Sequence, residues 1–286
     1  MPTRFSLVLN NSNVVANSNK SRYQYNFIGG NFKTKNARMC VSQATVPYSW
    51  FNISTQWVNQ RITFGWTNGG TFTPTTITIP AGFYSTADLN NYLQQYMISI
   101  GAYLINASGQ YVFYAAIVQN QTYYANQLIL TLVPTAADAA TAGLTAPTPT
   151  FAGFPTVATT PQIAFPASNS VGSVLGFAPS SSYGPSASNI SQLSTQTPVA
   201  TNVNSLIIHC NLANNPVTMP SDILDSVPIV DTSFGANINY SPSFEKWISI
   251  TDGTYNSLLI TLTDENNISL VAQDSNSLFT LVLETE

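Results

Sequence analysis

Apolar and polar residues alternate along many short segments of this chain, and in one stretch only does the period lengthen to that of a helix. Residues 23–27 read Tyr, Gln, Tyr, Asn, Phe, and residues 61–66 set Ile62, Phe64 and Trp66 on one side. A period of two puts every second side chain on one face, so each such segment is a strand with a face to bury. Residues 5–9, 38–47, 76–79, 111–118, 128–133, 205–210, 234–240, 247–251, 258–263 and 278–284 read as further strands, with Gly, Asn, Asp or Pro between them. No repeat of fixed period is visible, which argues against a propeller or solenoid. The expected class is all-β: an antiparallel β-sandwich, a single jelly roll with one short helix and a long loop-rich insertion.

The helix lies in residues 75–101, TTITIPAGFYSTADLNNYLQQYMISIG. Pro80 to Gly82 end the preceding strand, because Pro lacks a donor and Gly accepts a positive φ. Ser85 or Thr86 can cap, and Asp88 stands three residues after Ser85 as in a capping box. Leu89, Tyr92, Leu93, Tyr96, Met97 and Ile100 form one apolar stripe, and Gly101 is a natural stop. The expected helix runs from 86 to 100, with Leu89, Leu93 and Met97 packed inward.

Charged residues make up only 7% of the 286, against roughly 25% in ordinary soluble domains. The polar surface must come from Asn, Gln, Ser and Thr, which repel neighbouring copies weakly. Aromatic residues, at 12%, argue against a disordered chain. The charge is also unevenly placed. Arg4, Lys20, Arg22, Lys33, Lys35, Arg38 and Arg61 precede residue 62 with no acid among them, whereas residues 222–286 hold ten acids and only Lys246. Residues 134–204 carry a single charge, Asp138, and more than half of the 17 prolines. They read as an ordered, loop-rich excursion outside the central sheets, anchored by Phe151, Phe154, Phe165, Val174, Leu175 and Phe177, within one domain spanning 1–286. Cys40 and Cys210 sit in apolar strands and are expected to be free, buried thiols. No apolar run approaches the ~18 residues of a membrane span. Residues 1–4 lack the apolar core of a signal peptide, so an intracellular or virion-borne protein is expected.

Little in the sequence points to catalysis. The single histidine, His209, is flanked by Ile208 and Cys210, whose side chains point to the opposite strand face, so a His–Cys dyad is geometrically poor. No nucleophile elbow, zinc-protease helix or phosphate loop is present. Asp222, Asp225 and Asp231 are close in sequence but read as solvated loop acids. Residues 264–267 lack the ligand spacing and glycine of an EF-hand and fit a turn. Tyr23, Tyr25, Phe27 and Phe32 beside Lys33, Lys35 and Arg38 resemble a nucleic-acid surface, but strand periodicity and net negative charge favour core packing. Tyr48, Trp50 and Phe51 read as a core corner. No catalytic residue, metal or cofactor is expected.

Four segments carry a resemblance: residues 38–52 (RMCVSQATVPYSWFN), 79–93 (IPAGFYSTADLNNYL), 173–177 (SVLGF) and 258–283 (LLITLTDENNISLVAQDSNSLFTLVL). In this order and spacing the chain resembles the penton, or vertex minor capsid, proteins of virophages and polinton-like viruses. More broadly it is similar to the single jelly-roll pentons of the double-jelly-roll virus lineage. The resemblance implies a structural capsid protein assembled in the host cell, with the cytoplasm as the expected site. Its homopentamers would stand at icosahedral vertices and contact trimers of a major capsid protein, with other minor capsid proteins as further neighbours. It implies no enzyme activity. On this reading Lys33, Lys35, Arg38, Asp222 and Asp225 are candidate inter-subunit charge contacts. The alternative is a receptor- or carbohydrate-binding β-sandwich, such as a fibre head or lectin-like module.

Overall fold

Residues 3–29 and 32–285 are described by the structure, a computed structural model. The chain opens with β1 (Thr3–Leu9), β2 (Arg22–Asn26), β3 (Phe32–Thr34) and β4 (Arg38–Pro47). It then runs through β5 (Arg61–Asn68), β6 (Thr71–Thr78), α1 (Thr86–Ile100), β7 (Leu104–Ile105), β8 (Tyr111–Val112), β9 (Ala115–Asn120) and β10 (Ala125–Leu130). Next come α2 (Ala136–Thr141), β11 (Gln162–Ala164), α3 (Gly172–Leu175), β12 (Ser182–Tyr183) and β13 (Ile190–Leu193). It closes with β14 (Ser205–Cys210), β15 (Ile223–Pro228), β16 (Asn237–Tyr240), β17 (Ile248–Ser249), β18 (Gly253–Tyr255), β19 (Ser257–Thr263) and β20 (Leu278–Thr285). These elements divide into two compact units: Met1–Trp50 with Val203–Glu286, and Phe51–Asn202.

In the first unit one sheet has the order β1-β20-β4-β16, with β17 also on β4, and a second has the order β15-β14-β19-β2. Renumbered one to eight along the chain, the strands of these two paths run 1-8-3-6 and 5-4-7-2, and every pairing is antiparallel. This is the jelly roll expected from the sequence. Alternation sets the inner faces: Phe279, Leu281 and Leu283 of β20, Leu258, Ile260 and Leu262 of β19, and Leu206 and Ile208 of β14 are all buried. The two sheets meet where Tyr23 of β2 packs edge-on against Phe279 of β20, with ring centres 5.1 Å apart. The Tyr23 hydroxyl escapes an unpaired burial by donating to Ser277 Oγ at 2.9 Å. Cys40 and Cys210 are free and buried, and burial pushes the Cys210 thiol up to about 11.

The second unit has its own core. A sheet of order β12-β11-β5-β6 and a sheet of order β13-β10-β9 share it with α1. Leu89, Leu93 and Met97 turn inward from α1, as their spacing requires, and the Asn90 side chain accepts the Ile117 N–H of β9 at 2.9 Å. Residues 134–204 are loop-rich, but they do not stay outside the sheets. β11 pairs with β5, β13 pairs with β10, and Phe165 stacks on Phe177 at 4.8 Å inside the core. The reason is apolar: Phe165, Val174, Leu175 and Phe177 bury more surface than a loop could leave in water.

Candidate functional site

Three of the four sequence segments meet in the second unit, the first of them by its last residues, while residues 258–283 belong to the jelly roll. Asn52, 2% exposed, donates from Nδ2 to the carbonyls of Tyr84 and Ala200 at 2.8 and 2.9 Å, and its Oδ1 accepts the Tyr84 N–H at 2.8 Å. Beside it, Ile53 and Gly82 exchange backbone hydrogen bonds of 3.1 and 2.9 Å. The end of the first segment is therefore bolted to the turn that starts α1. At that turn the Ser85 hydroxyl accepts the Asp88 N–H, while Asp88 Oδ2 accepts from the Ser85 N–H and hydroxyl. These bonds, the hydroxyl's first, hold the Asp88 carboxyl below the usual carboxylate range. Buried Asn126 joins the third segment: its Oδ1 accepts from Thr86 Oγ1 and its Nδ2 donates to the Leu175 carbonyl.

This junction lines a cavity of about 180 Å³. Tyr84, Thr86, Gln119, Gln121, Tyr124 and Asn126 are among its walls, and among the described residues no Asp, Glu, Lys, Arg or His lines it. Tyr124 is 77% exposed and has a φ of +48°, an uncommon conformation for an aromatic residue. Amides, hydroxyls and an exposed aromatic face suit a neutral polar ligand. Sequence reasoning missed this site because Gln119 lies at the end of β9 and Gln121 and Tyr124 in the β9–β10 connection, where they carry no spacing signal of their own.

In the first unit most of the candidate charge residues are already paired within the chain. Glu284 takes Arg4 Nε at 2.9 Å and Arg38 Nη2 at 2.6 Å, and both guanidinium groups lie over the Trp247 ring. Burial raises the Glu284 carboxyl, but the hydrogen bonds from Arg38 and Arg4 outweigh it and leave the group below the ordinary range. Buried Asp225 holds Lys246 Nζ at 2.9 Å and the Tyr240 hydroxyl at 2.7 Å. Asp222 Oδ1 lies 2.9 Å from His209 Nδ1. Lys33 and Lys35 are exposed and form no ion pair among the described residues.

Lys33 follows Phe32 in β3, and Phe32 lines an aromatic groove of about 360 Å³ with Phe5, Leu7, Tyr25, Phe27, Ile28 and Leu283. Phe27 stacks on Phe32 at 4.6 Å, and Phe5 meets Phe32 edge-on at 6.4 Å. Core packing holds for Tyr23, which is fully buried, but the rings of Tyr25, Phe27 and Phe32 are half-buried. The aromatic corner is core: Tyr48 and Trp50 are each 3% exposed and in ring contact.

His209 points away from Cys210, as strand geometry demands. Its Nε2 lies 2.9 Å from Thr263 Oγ1. The order acid, imidazole, hydroxyl does not make a working nucleophile here, because Thr263 is only 6% exposed and can donate to the Asp264 carbonyl at 3.0 Å. Asp264 organises a turn, its Oδ1 accepting the N–H groups of Asn266 and Ile268. Among the described residues no group of three or more His, Cys, Asp or Glu is placed to hold a metal ion, and no helix is long and apolar enough to cross a membrane.

No family model matches this sequence, and no curated protein does. Among solved structures, the chain is similar to the crystal structure of selenomethionine-labelled mavirus penton protein. The identity is 10% and the TM-score 0.45, over 100% of this chain and 99% of that one.

Proposed function

We propose that this chain is a structural protein of a viral capsid, of the penton type. Five copies close around an icosahedral vertex, and their outer rim meets trimers of a major capsid protein and other minor capsid proteins. The observation that carries this reading is the eight-strand jelly roll built by a chain with so few charges. Jelly rolls recur in capsids and in lectins, so the fold alone is an analogy. The low charge and the four sequence segments favour the capsid. Closed rings repeat each contact, so weak individual interfaces add up. Electron microscopy of the purified protein tests it: five-fold rings are expected, and single copies at every concentration would overturn the reading.

A second reading, a carbohydrate-binding module, draws on the uncharged cavity beside Tyr124. Glycan arrays separate the two. Saturable binding that Tyr124→Ala abolishes would favour it, and silence across neutral glycans would remove it.

A further inference from the structure

The jelly roll has two edges, and each carries exposed apolar side chains. At the β1/β2 edge the sandwich opens: along the inward series of β1, Phe5 is 45% exposed while Leu9 is fully buried. Ile28, in the same groove, is 96% exposed. Arg22 starts β2, Lys33 lies in β3 and Lys35 just after it, against one acid beside them among the described residues, Asp252, whose Oδ1 accepts the Asn36 N–H. At the opposite edge stands β15, followed across the sandwich by β16. The loops at the two ends of β15 expose Val217 at 89%, Met219 at 94% and Val230 at 65%. Residues 205–244 contain Asp222, Asp225 and Asp231 and no Lys or Arg, and with Asp225 held by Lys246 the acids left to face outward are Asp222 and Asp231. The groove at one edge and the neighbouring pair Val217 and Met219 at the other are apolar surface that another protein could cover.

We infer that the two edges are complementary halves of one head-to-tail contact, and that the occupant of the aromatic groove is a second copy of this chain. Val217 and Met219 of one copy cover Phe5, Phe27, Ile28 and Phe32 of the next. Asp222 and Asp231 face Arg22, Lys33 and Lys35, which fixes the direction of approach. The contacting patches differ, so the interface is heterologous and generates a ring when its rotation closes. This rests on the ring proposed above and names the surfaces that would build it.

The test uses the full chain at low salt, with mass photometry for copy number and thermal melts for folding. Wild type is expected as rings. Lys33→Glu/Lys35→Glu spoils the basic edge, and Val217→Asn/Met219→Asn spoils the acidic one. Each is expected to melt as a folded protein and to fall to single copies. Lys33→Ser/Lys35→Ser, which removes charge without reversing it, should weaken rings less than the glutamates do. An equimolar mixture of the two edge variants keeps one good edge on each partner, so it should stop at two copies. Rings that persist in either edge variant, or that form in the mixture, would overturn the pairing of edges and leave the ring reading standing. Wild type at single copies throughout would overturn the ring reading and this inference with it.

Discussion

Asn52 spends both donors and the acceptor of its side-chain amide on backbone groups of residues 84 and 200. Truncation would leave a buried N–H and two carbonyls to find other partners. Asn52→Ala is expected to cost ~1–3 kcal/mol in chemical denaturation, the range for stranding buried polar groups. Asn52→Asp should cost more, because a carboxylate would face the two carbonyl oxygens that the amide now serves. Glu284 makes a second prediction at this scale. Its folded-state carboxyl is held below its unfolded value, so its contribution is full above the unfolded pKa, near 4.3, and fades as pH falls through the lower folded value. The melting difference between wild type and Glu284→Gln should therefore be largest above about pH 5 and shrink below pH 4. A difference that stays constant from pH 7 to pH 3 would show that the Arg4 and Arg38 bonds do not set stability.

At the scale of elements, α1 is the part most legible from sequence, since its cap, stripe and stop are all local. Thr86–Ile100, the Ser85–Asp88 box and the Gly101 stop, with φ of +71°, are all where the spacing put them. Leu93→Ala should cost ~2–5 kcal/mol and Ser85→Ala about 1 kcal/mol. Gly101→Ala should also destabilise, because its Cβ would come to 2.4 Å from the Thr150 carbonyl oxygen on top of the unfavourable φ. Thermal melts of the three variants check this, and an unaffected Leu93→Ala would refute the inward stripe. Strands whose evidence is not local were harder to read. β15 went unseen because buried Asp225 interrupts its apolar pattern, and the groups that make that burial tolerable, Tyr240 and Lys246, lie further along the chain. The start of β6 was hidden by Pro74, which an edge strand accepts without losing a ladder bond. The two- to four-residue strands β11, β12 and β13 are too short to show any period. The cavity and the groove were illegible for the same reason: their walls gather from loops and strand ends whose neighbours are set by tertiary pairing.

At the scale of the molecule, the second unit encloses a core drawn from its own residues alone, from Ile53 to Phe177. The fragment Phe51–Asn202 is therefore expected to fold by itself, with a cooperative melt and a dispersed amide spectrum. A fragment that stays unfolded would show that this core is insufficient.

The jelly roll has the opposite character, because its first strand pairs with its last: Thr3 lies opposite Thr285, and Leu9 opposite Phe279. During synthesis β1 leaves the ribosome with no partner, and its apolar side chains wait while almost the whole chain is made. The intervening unit is complete long before that, so it can fold while translation continues. Closing so long a loop makes the final pairing slow relative to local events. A nascent chain stalled before β20 should thus present a folded second unit beside an unclosed sandwich, the state in which an aggregation-prone edge is most exposed.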